Sequence, residues 1–340
     1  MKTMWIVIFC FFLALAIAAG GVFSAANHAG AMRYVLCTAL GKTRGNVTVK
    51  DIRFTGLKYS FPLSWVFDGV EIRILQGSKM VFVSAAELAV EDAGGLLFEG
   101  RTTKLGLKRA EMAWDKLTLK NVSGTAELSR TADGPVYKGS FSAGSLSWDK
   151  LAVFTLSGNF LGDAHKADMK DLKGDFYGGK LSGLAGIKSG PLPEYDINIS
   201  LANADPELLA RALGGAFREF SGRLTGSVRL AGQGTRINAL NMSWNLPQGG
   251  EVSAALLSSV SAYFPPSVEK KRLDKLIRAG EKLAVEVFLF TMRNDAPDHL
   301  TGQIGLKSRR ANLDLNVTHD ISVDARVDSL LRAWAAVFKR

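Results

Sequence analysis

Asp68-Gly-Val-Glu-Ile-Arg-Ile-Leu75 is the stretch on which the reading of this 340-residue chain turns. Val70, Ile72 and Ile74 fall on one side of an extended backbone, and Glu71 and Arg73 on the other, because strand side chains alternate at period two. The same alternation recurs at Val47/Val49, Leu105/Leu107, Leu117/Leu119, Ile197/Ile199/Leu201, Val285/Val287/Leu289, Leu313/Leu315/Val317 and Ile321/Val323. Strands with one apolar and one polar face suit an antiparallel sheet; strands of a doubly wound parallel sheet read as continuous apolar runs. The 35 glycines are spread along the chain, which favours many turns over a few long helices. The expected fold is mainly β.

Working outward, a recurrent phrase of glycine, alternating strand and glycine appears in 137–148, 178–183 and 222–232, without a strict repeat period. Two prolines in Lys188-Ser-Gly-Pro-Leu-Pro193 would interrupt a strand and mark a soft boundary. Three helices have readable ends. Asp205-Pro206-Glu207 supplies an N-cap, a proline at the first helical position and a first-turn carboxylate, ahead of Leu208, Leu209 and Leu213. A second runs from Ser267 to before Gly280, with Leu273, Leu276 and Ile277 on one face and Lys270, Lys271, Arg272, Lys275 and Arg278 on the other. A third begins near Asp328, with Leu330, Leu331, Trp334, Val337 and Phe338 set against Arg332, Lys339 and Arg340. Such basic amphipathic helices either pack on the sheet with their charges in water or lie on a membrane surface; the first is the commoner use.

At the N-terminus, Met4 to Ala26 is uninterrupted by charge and long enough to cross a bilayer as a helix. A cleavable signal peptide would have a shorter apolar region and a small-residue cleavage site, for which Ala14-Leu-Ala16 and Ala16-Ile-Ala18 are candidates. Apolar residues continue past both, so length favours an uncleaved signal-anchor. Cys37 is the sole cysteine outside this run, which leaves no intramolecular disulfide for the remaining domain. The hydrophobic content of 47% is that of a globular chain. The formal charge of +10 fits either a solvated outer sheet face or a surface held near anionic headgroups, and an export signal argues against nucleic acid.

Catalytic signatures are missing. The four histidines, at 28, 165, 299 and 319, have no metal-ligand spacing, and HExxH and CxxC do not occur. Gly41-Lys-Thr43 lacks the first glycine of a phosphate-binding loop, whose place Leu36 takes. Ser147-Trp-Asp-Lys150 and Ser267-Val-Glu-Lys270 match a loose SxxK pattern with no SDN or KTG companion. Asp168, Asp171 and Asp175 read as turn residues beside Gly174. No metal or cofactor is expected.

Asp171-Leu-Lys-Gly-Asp-Phe-Tyr-Gly-Gly-Lys-Leu-Ser-Gly183 resembles the strand turn of AsmA-like proteins. The stretch Ile197 to Leu209 resembles their next strand and aspartate-opened helix, Phe220 to Gly234 their following strand pair, and Val47 to Leu97 their opening. Secretion-associated GspN proteins share the same plan, and the two are not separated by these residues. The AsmA-like resemblance implies a single-pass bacterial inner-membrane protein with most of its chain in the periplasm. Its fold would be an N-terminal transmembrane helix, then an elongated, curled antiparallel β-sheet forming a groove, with a few short amphipathic helices. The expected divisions are an anchor at 1–26, a linker at 27–44, an N-terminal β region at 45–190 and an AsmA-like β region at 191–340. The implied role is non-enzymatic: lipid handling or envelope biogenesis through an apolar groove that takes phospholipid acyl chains. Val70, Ile72, Ile74, Ile197, Ile199, Leu201, Leu224, Val228 and Leu230 are the candidate groove residues. The alternative is a GspN-like assembly component of a type II secretion system, with envelope or secretion proteins as partners and no bound lipid.

Overall fold

The computed structural model describes residues 30, 32–34 and 47–322, apart from 61–62, 77, 95–99, 133, 164, 190–191, 214–219, 235, 262–263 and 297–298. The apolar run Met4–Ala26, the Gly41-Lys-Thr43 triplet and the helix expected from Asp328 lie outside these residues. Among the described residues no helix is long and apolar enough to cross a membrane. The protein is mainly β, antiparallel, with few helices. It divides into two compact units, Met1–Leu172 with Ile187–Pro193, and Lys173–Gly186 with Glu194–Arg340. The proline-bearing segment thus groups with the first unit.

Unit 1 contains β1 (Val47–Arg53), β2 (Gly56–Ser60), β3 (Ser64–Gln76), β4 (Lys79–Glu91), β5 (Thr102–Trp114), β6 (Leu117–Thr131), β7 (Gly134–Trp148), β8 (Leu151–Gly162) and most of β9 (Lys166–Phe176). From β3 onward each strand pairs with the next in sequence; β1 and β2 both pair with β3. One face carries the apolar core, including Trp65, Phe67, Val70, Ile72, Ile74, Leu88, Val90 and Leu105. The other carries cross-strand ion pairs such as Glu87–Lys108 at 2.8 Å and Glu127–Lys138 at 3.0 Å. These pairs are exposed and contribute little, about 0–1 kcal/mol each.

The strands of unit 1 do not alternate uniformly. Along β3 the buried residues run Trp65, Phe67, then Val70, Ile72, Ile74, so the phase slips at Gly69, whose φ is +59°. β5 slips at Arg109 (φ +48°), between Leu105 and Ala110, and β8 at Thr155 (φ +47°), ahead of Leu156. β6 has Asn121 (φ +53°) between Leu119 and Val122. The registers place these slips side by side. Gly69 lies between the pairs Asp68–Glu87 and Val70–Ala85, and Arg109 between Glu87–Lys108 and Ala85–Ala110. Gly144 and Thr155 lie between Ala143–Leu156 and Ser145–Phe154. A line of residues at which the alternation slips by one therefore crosses the sheet from β3 to β8, and between β5 and β6 the register shifts as well, at Leu107/Ala110 and Ala110/Met112. The shifts of β5 against β6 are bulges, which bend a strand and raise its twist.

Unit 2 contains most of β10 (Gly179–Lys188), then β11 (Glu194–Ala204), α1 (Pro206–Leu213), β12 (Phe220–Gly222), β13 (Leu224–Gln233), β14 (Arg236–Asn245), β15 (Gly250–Val252), α2 (Ala254–Ser261), α3 (Val268–Ala279), β16 (Leu283–Val285), β17 (Val287–Ala296), β18 (His299–Ser308) and β19 (Leu313–Ser322). Its main sheet runs β10-β11-β13-β14-β17-β18-β19, and β12-β15-β16 form a separate three-stranded sheet. Leu209, Leu257 and Leu273, one from each helix, are buried with Val252 and Leu283 of the small sheet and Leu224, Leu306, Leu313 and Leu315 of the large one. Here helices close the apolar face.

α3 follows its sequence signals. Ser267 caps it, its Oγ accepting from the Lys270 N–H at 3.0 Å, and Gly280 ends it at φ 69°. Leu273 is wholly buried and Leu276 and Ile277 pack beside it, so this helix packs through its apolar face. α1 opens with the Asp205 carboxylate accepting from the Glu207 N–H at 2.9 Å.

Two readings change. Val285 and Val287 belong to different strands: Val285 is buried in the small sheet, Val287 is exposed on β17, and Phe288 takes the inner position. Glu286 makes the break, donating its N–H to the Lys307 carbonyl and accepting from the Arg309 N–H. Asp168, Asp171 and Asp175 are strand residues of β9, not turn residues. Asp168 pairs with Lys166, Asp171 accepts from Asn159, and Asp175 pairs with Lys180. The turn lies beyond them, at Tyr177 and Gly178, both with positive φ as a tight hairpin turn demands.

Candidate functional site

Unit 1 holds a half-open cavity of about 270 Å³ on its apolar face. Its walls come from seven consecutive strands: Ile72 and Ile74 on β3, Val83 on β4, Leu105, Leu107 and Met112 on β5, Leu117, Leu119 and Val122 on β6, Leu146 on β7, Leu156 and Phe160 on β8, and Met169 on β9. In a flat sheet β3 and β9 would stand about 29 Å apart, at roughly 4.8 Å per strand. Their meeting around one cavity measures the curl. The line of slips runs through the same place, since Ala110, Val122 and Leu156, each just beyond a slip, all line the wall.

The lining is almost wholly apolar. Glu111 reaches its edge, but it is exposed and alternates with the buried Ala110 and Met112, which puts its carboxylate on the opposite face. Ser140, Gly124 and Thr125 contribute the remaining polar or small positions. Tyr137 stands beside Phe160, ring centroids 6.4 Å apart, with its hydroxyl donating to the Lys166 carbonyl at 3.4 Å. Burial first, and then the Asp163 and Asp168 carboxylates, push its pKa up to about 12. It is therefore a fixed neutral group at any ordinary pH. Such a site offers dispersion contact and exclusion of water, and little with which to do chemistry.

The nine sequence candidates divide between the units. Ile72 and Ile74 line the cavity, and Val70 is buried in the same core. The other six lie on β11 and β13 in unit 2, where the register pairs Ile197 with Leu230 and Ile199 with Val228. Leu201 and Leu224 are buried in the helix-covered core, and Leu230 packs on a smaller cluster around Ile237, Leu240, Met292 and Leu300. Ile197, Ile199 and Val228 are half-buried. The structure therefore brings together two of the nine in this cavity. Most of the wall, from Leu105 to Met169, was not singled out for it. A signal existed: the apolar spacing widens from two to three at Phe67–Val70, Leu107–Ala110, Leu119–Val122 and Val153–Leu156, which marks the slip on each strand.

Compared with known proteins, the chain matches no family model, no curated protein and no solved structure.

Proposed function

We propose that this chain is a membrane-anchored, non-enzymatic lipid-handling protein whose first unit takes an acyl chain into its apolar cavity. The supporting observation is the cavity itself: seven strands curl around about 270 Å³ with an almost wholly apolar wall. An apolar cavity of roughly 150 Å³ accommodates a six-carbon ring, so this one has room for about ten carbons. Each methylene moved out of water is worth about 0.8 kcal/mol, which gives a chain of that length a strong gross driving force before the costs of association. The apolar run Met4–Ala26 supports a membrane anchor, which would hold the cavity beside a supply of lipid.

The test is native mass spectrometry of the full chain released from detergent, with the bound lipid identified. Ala126, on the cavity wall of β6, is enlarged to fill the space. Wild type is expected to retain lipid at fixed stoichiometry, and Ala126→Phe to lose most of it while unfolding at a similar temperature. Ala110→Met fills the same cavity from β5 if the first variant proves overpacked. Equal lipid on wild type and a folded filled variant would overturn the proposal.

A further inference from the structure

The solvent side of α3 carries one line of positive charge. Lys271, Lys275 and Arg278 follow at i, i+4 and i+7, directly opposite the buried Leu273, and all three are exposed. Arg272 flanks them and reaches out to the β18–β19 turn, its guanidinium donating to the Asn312 carbonyl at 3.1 Å. That turn adds the exposed Arg309 and Arg310. Within 268–280 and 308–312 no acid is exposed: Glu269 is half-buried in the first helical turn and Asp274 accepts from the buried Ser261 hydroxyl at 2.6 Å. Among the described residues, the one acid held against the turn is Glu286, whose carboxylate accepts from the Arg309 N–H at 2.8 Å. Six exposed bases thus lie on one joined surface of unit 2. Val268, 60% exposed, adds an apolar tip at the start of the helix.

We infer that this face of α3 and the β18–β19 turn docks on an anionic bilayer surface. The chemistry favours lipid over other polyanions. Long basic side chains with an exposed aliphatic residue suit a headgroup layer, where charge is met by phosphates and the apolar tip by the acyl boundary. A single-stranded nucleic acid would want stacking rings among the bases, and none of these six neighbours is aromatic. A chain tethered by its first segment would present this face at high effective concentration, so weak individual attractions suffice. This inference concerns the outside of unit 2 and does not rest on the cavity of unit 1.

The test is amine-modification footprinting of the full chain reconstituted in lipid nanodiscs, read residue by residue by mass spectrometry. With about 30% anionic lipid, modification of Lys271 and Lys275 is expected to slow about fivefold or more relative to zwitterionic discs. The protection should vanish in about 0.5 M salt, where the Debye length falls to a few ångströms. Lys108 and Lys138 of unit 1, held in ion pairs with Glu87 and Glu127, give the modification rate of paired lysines in the same chain. Arg278→Glu with Arg310→Glu should abolish the protection without altering the melting temperature. Equal modification in both kinds of disc, or protection that is as strong on zwitterionic lipid, would overturn the inference.

Discussion

Asp163 shows how single side chains fix the strand connections of unit 1. In the β8–β9 turn its carboxylate accepts from the backbone N–H of His165 at 2.6 Å and of Lys166 at 2.8 Å. Those two bonds, the His165 one first, hold its pKa below the usual carboxylate range. A depressed folded pKa means stability that is present above the unfolded value, about 3.9, and lost as pH falls through the folded one. Asp163→Ala is accordingly expected to lower the denaturation midpoint at neutral pH, by a small amount because the group is exposed. The gap to wild type should close below about pH 4; a gap that persists into acid would contradict this role. At this scale the sequence was legible where side-chain chemistry is local, as in the Ser267 cap. It misled where neighbours on the sheet decide: Asp168, Asp171 and Asp175 look like turn formers, yet Asp168 pairs with Lys166 along its own strand, and Asp171 and Asp175 with Asn159 and Lys180 of the neighbouring strands.

Among the elements, the line of slips crosses the curved wall of unit 1 from β3 to β8. Gly69 is its most demanding position, since a Cβ there would lie 2.4 Å from Thr55 Oγ1 in addition to the positive φ. Thr55 has little freedom to yield, because its N–H and hydroxyl both donate to the Asp68 carbonyl. Gly69→Ala is expected to cost about 1–3 kcal/mol in urea denaturation; an unchanged midpoint would mean that the line bends without strain. Strand identity was plain from alternation, and the widened spacing at each slip was legible too. The left-handed φ of Arg109 and Thr155 was not, because neither residue type favours it, whereas Asn121 is of a type that does. α2 was equally silent: Ala254–Ser261 carries no acid in its first turn and no base in its last. The division of Val285 from Val287 depends on Glu286 bonding to β18 and the turn after it, a contact more than twenty residues away in sequence.

Over the whole molecule the same kind of alternating strand has two outcomes. In unit 2 three helices and a small sheet cover the apolar face, and in unit 1 the sheet curls on itself around a cavity. Alternation requires that the apolar face leave water, but it is indifferent to what displaces the water. That is why Ile72 and Ile74 reached the cavity while Leu201 and Leu224 went into a closed core, although all four read alike. The central claim is that unit 1 holds an acyl chain, and photo-crosslinking tests it most directly. The full chain would be loaded with a fatty acyl probe bearing a diazirine near its methyl end, irradiated, and mapped by mass spectrometry. Adducts are expected to concentrate on Leu105, Met112, Leu119, Leu156 and Met169, the walls of the cavity. Adducts scattered over the exposed Phe82 and Phe154, or gathered on Ile197, Ile199 and Val228 of unit 2, would contradict it.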